Sequence, residues 1–179
     1  MLTLTAENKE WFLEQLTKEL CNKFETTVNN LPELYGYTFP WSLLSLIQSD
    51  AIDTYQLLYV NDKIWTGSGG MIREFNGDKV YQSALRAFSV QESRHTGLGV
   101  NAYMHQYSST YQIERARMHG CTSVIWSFND YNSRLFEVNR RYLIPKAFPN
   151  YKFTSTTEMV QFNNTPQYLI ILNLIENPV

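Results

Sequence analysis

The sequence predicts an α/β fold of the α+β kind: a mixed, mostly antiparallel sheet of about six to seven strands with one parallel central pair, flanked by about four helices. Three observations carry it. Apolar residues recur at helical spacing at the start of the chain, the period changes to two from Thr54 onward, and one strand–helix–strand crossover follows. Such a crossover is right-handed and makes the strands it joins parallel.

The opening segment "AENKEWFLEQLTKELCNKF" repeats Phe12, Leu13, Leu16, Leu20 and Phe24 on one face, with Thr5 as its N-cap. "FPWSLLSLIQSD" follows as a shorter helix, Pro40 standing where a first-turn proline is tolerated. Next, "TYQLLYV", "KIWTGSGGMIREF" and "KVYQSALRAFSV" are rich in β-branched and aromatic residues and are separated by Asn61-Asp62 and Asn76-Gly77. Asn-Gly accepts positive φ at both positions, so these read as consecutive antiparallel strands. Gly67, Gly69 and Gly70 lie inside the middle strand, where a bulge or close backbone approach explains them better than a phosphate cradle, since no GK[ST] follows.

After "RHTGLG" (94–99) the helical period returns, with Val100, Met104, Tyr107, Tyr111 and Met118 on the expected apolar face. His105, Gln106, Ser109, Gln112 and Arg115 occupy the other side, and Gly120 ends the helix. "CTSVIWSF" reads as a buried strand and "NDYNSRLFEVNRRYLIP" as a helix halted by Pro145. "YKFTSTTEMVQF" and "QYLIILNLI" close the chain as two strands.

Composition bounds the function. The 179 residues suit one domain over 1–179, and 44% hydrophobic against 18% charged residues describes a folded chain. Fifteen basic against 17 acidic residues give a net charge of -2, which points away from nucleic acid and anionic membranes. Cys21 and Cys121 lack a partner at metal-binding spacing, and His95, His105 and His119 form no HExxH or HxH, so no metal is expected. No leader pattern or run of 18 apolar residues is found, so the expected location is cytoplasmic; Asn163-Asn164-Thr165 is then a chance glycosylation sequon.

The turn "RHTGLG" carries the most chemistry. A helix N-terminus presents unpaired N–H groups and about half a positive charge. Gly97 and Gly99 let oxygens approach and Arg94 adds a full charge, which together suit a diphosphate. "GLGVNA" also satisfies the dinucleotide pattern GxGxxA, but it follows three hairpin strands instead of a first parallel strand. A dinucleotide-binding enzyme is therefore an alternative with the wrong context.

"RHTGLG" resembles RxxGxG, the diphosphate loop of the GCN5-related N-acetyltransferases. "MHGCTSVIWSF" is similar to that family's helix end, glycine and fifth strand, and Asn132 stands four residues after Phe128 where the family carries an asparagine. The order of elements agrees from about Trp11 to the end. The resemblance implies a sheet whose parallel pair splays to admit acetyl-CoA, or another acyl-CoA, as co-substrate. It implies that the amides of His95, Thr96, Gly97, Leu98 and Gly99, with Arg94, hold the diphosphate. Phe88, Ser89 and Val90 would pair their backbone with the pantetheine arm, and Asn132 would meet it from the other side. The Val90 N–H is then a candidate oxyanion donor.

The family's usual acid is a tyrosine seven residues after that asparagine, and here this is Asn139, which cannot protonate a thiolate. Tyr142, three residues on and on nearly the same face of a regular helix, is the candidate acid, with packing against the sheet as its other explanation. No carboxylate lies between Lys79 and Val90, where Tyr81, Gln82, Ser83 and Arg86 are the polar choices. Glu74 and Glu92 flank that strand as candidate bases, although ordinary surface acids look the same. The partners implied are an acyl-CoA and an amine acceptor, small molecule or protein; a homodimer stays open. A protein of the same fold that binds without catalysis is the principal alternative.

Overall fold

The computed structural model describes residues 2–5, 7–23, 25, 27, 52–60, 63–84 and 105–178. The expected second helix (39–50), the strand beyond Ala84 and the turn at 94–99 lie outside them. The chain divides into two compact units, Met1–Gly69 with Leu85–His95, and Gly70–Ala84 with Thr96–Val179.

In the first unit, β1 (Leu2–Thr3) pairs antiparallel with β2 (Thr54–Val60), Leu2 opposite Leu57 and Thr3 opposite Gln56. Helix α1 (Lys9–Lys23) starts from a reciprocal clasp: the Asn8 N–H donates to Thr5 Oγ1 at 3.2 Å and the Thr5 N–H donates to Asn8 Oδ1 at 2.8 Å. Thr5 thus caps as its sequence position suggests. Phe12 and Leu16, one turn apart, are buried, and the Phe12 ring meets Tyr55 edge-on at 6.3 Å. β3 (Lys63–Phe75) begins in this unit. A Cβ on Gly67 would lie 2.6 Å from Tyr55 Oη, so the buried tyrosine fills the space a side chain would need.

The second unit holds the end of β3, then β4 (Asp78–Ala84), β5 (Ser123–Phe128), β6 (Thr154–Ser155), β7 (Val160–Phe162) and β8 (Thr165–Asn173). Neighbouring strands run β1-β2-β3-β4-β5-β8-β6, with β7 on β8. β4 and β5 are parallel, from Val80 opposite Ser123 to Ser83 opposite Trp126. β8 is antiparallel to β5, β6 and β7. The sheet is therefore mixed, with one parallel pair among the registers described, as the single crossover requires. The expected strand "YKFTSTTEMVQF" divides, residues 156–159 separating β6 from β7.

The β3–β4 turn has φ of 51° at Asn76 and 80° at Gly77, the conformation a two-residue hairpin requires. A second such turn, Asn163 and Asn164 at φ 51° and 61°, joins β7 to β8. The Asn163-Asn164-Thr165 sequon is thus a hairpin turn.

On one face of this sheet Tyr81, Val124, Trp126, Phe128, Ile170 and Leu172 pack against helical residues; on the other, Val80, Ile125 and Leu169 pack beneath Phe162. The helical layer comprises α2 (Thr110–Met118), α3 (Ser133–Val138) and α4 (Ile144–Ala147). A π turn, His105–Ser109, precedes α2, and another, Asn139–Leu143, joins α3 to α4.

Both π turns correct the sequence reading. The expected apolar face of α2 is turned outward, Tyr107 and Met118 being exposed, while Ser108, Ser109, Gln112, Ile113 and Ala116 are buried. A π turn takes in one residue more than an α turn and so rotates the face that reaches the sheet. Pro145 does not halt its helix, which continues to Ala147. The Ile144 N–H bonds back to the Asn139 carbonyl, five residues earlier. This wide turn just before the proline accommodates a ring that would otherwise clash with the carbonyl four residues back.

Candidate functional site

The parallel pair fixes where a site can form. Strand carboxyl ends and the loops that follow them gather at one edge of a sheet, and ligands of open α/β sheets bind there. β5 ends at Phe128, and its last residues, Ser127 and Phe128, pair with Leu169 and Tyr168 of β8. Among the described residues the pairing with β4 runs as far as Trp126; the continuation of β4 lies outside them, as does the expected splay.

Asn132 closes the short turn Asp130–Asn132 that follows β5, and its N–H bonds to the Asn129 carbonyl at 3.0 Å. It is half-buried and sits at the N-cap of α3 without a side-chain capping bond. Its carboxamide is thereby not committed to its own helix and can serve a ligand.

Asn139 is 1% exposed; its Nδ2 donates to the Leu135 carbonyl at 2.8 Å and its Oδ1 is buried without a partner among the described residues. It is a helix-bound amide with no proton to give. Tyr142, by contrast, is 59% exposed. The two do not share a face, contrary to the expectation for a regular helix, because the turn from Asn139 to Leu143 is a π turn in which each residue advances by a smaller angle. The Tyr142 hydroxyl is open to solvent and to whatever lies beside this turn.

Glu74 is exposed two residues before the Asn76–Gly77 turn, beside the start of β4. Glu92 and the expected acyl-CoA contacts Phe88, Ser89, Val90, Arg94, His95, Thr96, Gly97, Leu98 and Gly99 lie outside the described residues. Among the described residues no group of three or more His, Cys, Asp or Glu side chains is placed to hold a metal, and no helix is long and apolar enough to cross a membrane.

Of the polar choices on β4, Tyr81 and Ser83 are buried on the helical side, and the Ser83 Oγ has no partner among the described residues. Gln82 faces the other way and organises a row across three strands. Its Oε1 accepts from Arg73 Nε at 3.2 Å, and its Nε2 donates to Ser127 Oγ at 2.8 Å. Gln82 is legible in the sequence as a polar strand residue and this row is not; the alternation of Arg73 and Phe75 on β3 and of Val80 and Gln82 on β4 is the signal that points to it. Burial lowers the Arg73 pKa from its ordinary value. On α3, the Glu137 carboxyl is held below its usual range, first by its hydrogen bond from Arg140 at 2.7 Å, with Arg141 adding at 3.0 Å.

No family model matches the sequence, and no curated protein matches it at a significant level. Solved structures do match in fold. FeeM, an N-acyl amino acid synthase from uncultured soil microbes, superposes with a TM-score of 0.50 at 11% identity, covering 98% of this chain and 90% of its own. BjaI, a CoA-dependent acyl-homoserine lactone synthase, gives 0.51 at 11%, covering 96% and 81%. AAC(6')-Ib, solved with ribostamycin and coenzyme A, gives 0.51 at 10%, covering 98% and 93%.

Proposed function

We propose that this chain, whose fold is that of the GCN5-related N-acetyltransferases, moves an acetyl or other acyl group from coenzyme A directly to an amine. The observation that carries the reading is the position of "RHTGLG" inside the crossover between the two parallel strands, β4 and β5. A glycine-rich stretch at that point, read from its sequence as a turn before a helix, suits a diphosphate. The three neighbours, an N-acyl amino acid synthase, a CoA-dependent acyl-homoserine lactone synthase and AAC(6')-Ib solved with coenzyme A, support the same reading.

Arg94 and the amides of His95, Thr96, Gly97, Leu98 and Gly99 would hold the diphosphate, and Phe88, Ser89 and Val90 the pantetheine arm, with Asn132 facing it from the start of α3. An acyl-CoA supplies a thioester carbon for a neutral amine to attack. The chain must then hold three things: an N–H for the developing oxyanion, a base for the amine proton and an acid for the leaving thiolate. The Val90 N–H serves the first. Glu92 is the proposed base, ahead of Glu74, which lies at the hairpin end of β3. Tyr142 is the proposed acid, the hydroxyl nearest in sequence to the position that Asn139 cannot fill.

The test is release of free thiol from acetyl-CoA across amines, peptides and polyamines. Tyr142→Phe is expected to lower kcat by about 100-fold or more, the range of a general acid, while leaving acetyl-CoA affinity unchanged. An unchanged kcat removes Tyr142 from that role. A second reading, binding of acyl-CoA without transfer, is favoured by Asn139, buried and bonded to Leu135 where the acid is expected. Binding with no thiol release from any acceptor would establish it. The dinucleotide reading fits poorly, because a dinucleotide domain stacks successive parallel strands and the registers among the described residues include one parallel pair.

A further inference from the structure

Arg140, Ile144 and Phe148 recur at every fourth residue along the run from the Asn139–Leu143 turn through α4, and all three line one cavity of about 330 Å³. Its other wall is the helical face of the outermost strands, where Ser155 of β6 pairs with Ile170 of β8. Phe153 lies on that same face, since its ring meets Trp126 at 6.0 Å and Trp126 pairs with Ile170. Phe148, Tyr151 and Phe153 form a continuous aromatic wall, their ring centroids 5.4, 6.4 and 6.5 Å apart. Ile144, Phe148 and Ile170 are buried, while Phe153 is half-buried and Tyr151 is exposed. Ligand cavities run from roughly 300 to 1,000 Å³, so this one suits a single ring with a short chain.

Among the described residues that line the cavity, Arg140 has the one charged side chain. Its Nη2 donates to Glu137 Oε2 at 2.7 Å, and the same oxygen accepts from Arg141 Nε at 3.0 Å. One carboxylate therefore serves two guanidiniums, which leaves a net positive charge beside the aromatic wall. The bond to Glu137 also holds the Arg140 side chain in place, and among the described residues its Nε and Nη1 donate to no acceptor. Those donors suit one further oxyanion. A single cation among rings selects a flat organic monoanion, because a neutral or cationic ring leaves the guanidinium unmatched and inorganic phosphate leaves the rings unused. The cavity is also separate from the proposed coenzyme edge: Asn132 stands at the start of α3, and Phe148 closes α4 at the far end of the same helical run.

We propose that this cavity binds a small aromatic monocarboxylate, its ring against Phe148, Tyr151 and Phe153 and its carboxylate on Arg140. The claim is independent of acyl transfer and is tested by binding alone. Saturation-transfer NMR on the purified full chain would titrate benzoate, phenylacetate and phenylpropionate, the corresponding amides and amines, acetate and inorganic phosphate. The expected result is saturable binding of at least one of the three aryl acids. Its amide, its amine, acetate and phosphate should each bind about tenfold or more weakly, the scale of one hydrogen-bonded charge or one buried ring. Saturating acetyl-CoA should leave the bound acid in place. Arg140→Gln is expected to weaken the acid about tenfold, whereas Arg141→Gln, outside the cavity wall, should change it by less than about twofold. The proposal is overturned if none of the aryl acids binds the wild type, if the amide, amine, acetate or phosphate binds as well, or if acetyl-CoA displaces the acid. It is equally overturned if folded Arg140→Gln binds unchanged or Arg141→Gln weakens binding as much. The ligand series uses wild-type protein, so it decides the matter even where a variant does not fold.

Discussion

Gly70 on β3 shows how a single position constrains the sheet. A Cβ there would lie 2.3 Å from Cε1 of Tyr81, a fully buried side chain with nowhere to turn. Gly70→Ala is therefore expected to cost about 1–3 kcal/mol by overpacking, lowering Tm by about 2–4 °C per kcal/mol in a thermal melt. An unchanged Tm would mean that Tyr81 yields. The glycines of "GSGG" were legible as a close approach from their place within a period-two segment; the tyrosines they face, twelve and eleven positions away, were not. Tyr55 provides a pH test. Burial raises its pKa above the ordinary 10.0, whereas the unfolded phenol ionises near that value. Stability is then complete below pH 10 and falls above it, by up to about 1.4 kcal/mol per pH unit, as the unfolded state loses a proton that the folded state keeps. Denaturant titrations from pH 8 to 11 should show this decline in the wild type and a shallower one in Tyr55→Phe. Equal slopes would contradict it.

At the level of elements, the β2, β3 and β5 segments were readable nearly to the residue, because alternation and Asn-Gly turns are local signals. The helices were readable as helices but not by face. A period of 3.6 applied across residues 100–118 puts Met118 inward; the π turn at His105–Ser109 turns Ala116 and Gln112 inward instead. No local residue pattern announces such a turn, since its cause is the fit of the whole helix to the sheet. The register has a direct check. Met118→Lys, at 73% exposure, should change stability by less than about 0.5 kcal/mol, while Ala116→Leu, at 0%, should cost about 1–3 kcal/mol by urea unfolding. The reverse order of effects would restore the original face. The same reasoning separates Asn139 from Tyr142: spacing put them together, and the π turn puts one in the core and the other in solvent.

Over the whole chain, the strand order followed from few facts: hairpin turns bind β3 to β4 and β7 to β8, and one crossover makes β4 and β5 parallel. That much constrains the fold strongly, since connections are short and crossovers right-handed. The site was less legible. In the sequence its loop reads as a diphosphate turn from Arg94, Gly97 and Gly99, which lie outside the described residues, while Asn132 stands at the start of α3. The acid and base were not readable, because each depends on where a side chain points after the chain has folded. Binding of coenzyme A is what the proposed function requires before any of these roles matters. The measurement that reaches it most directly is calorimetric titration of the chain with acetyl-CoA and, separately, with NAD. The account predicts saturable one-site binding of acetyl-CoA, weakened at least tenfold in Arg94→Ala, and no heat from NAD; saturable NAD binding with none of acetyl-CoA would contradict it.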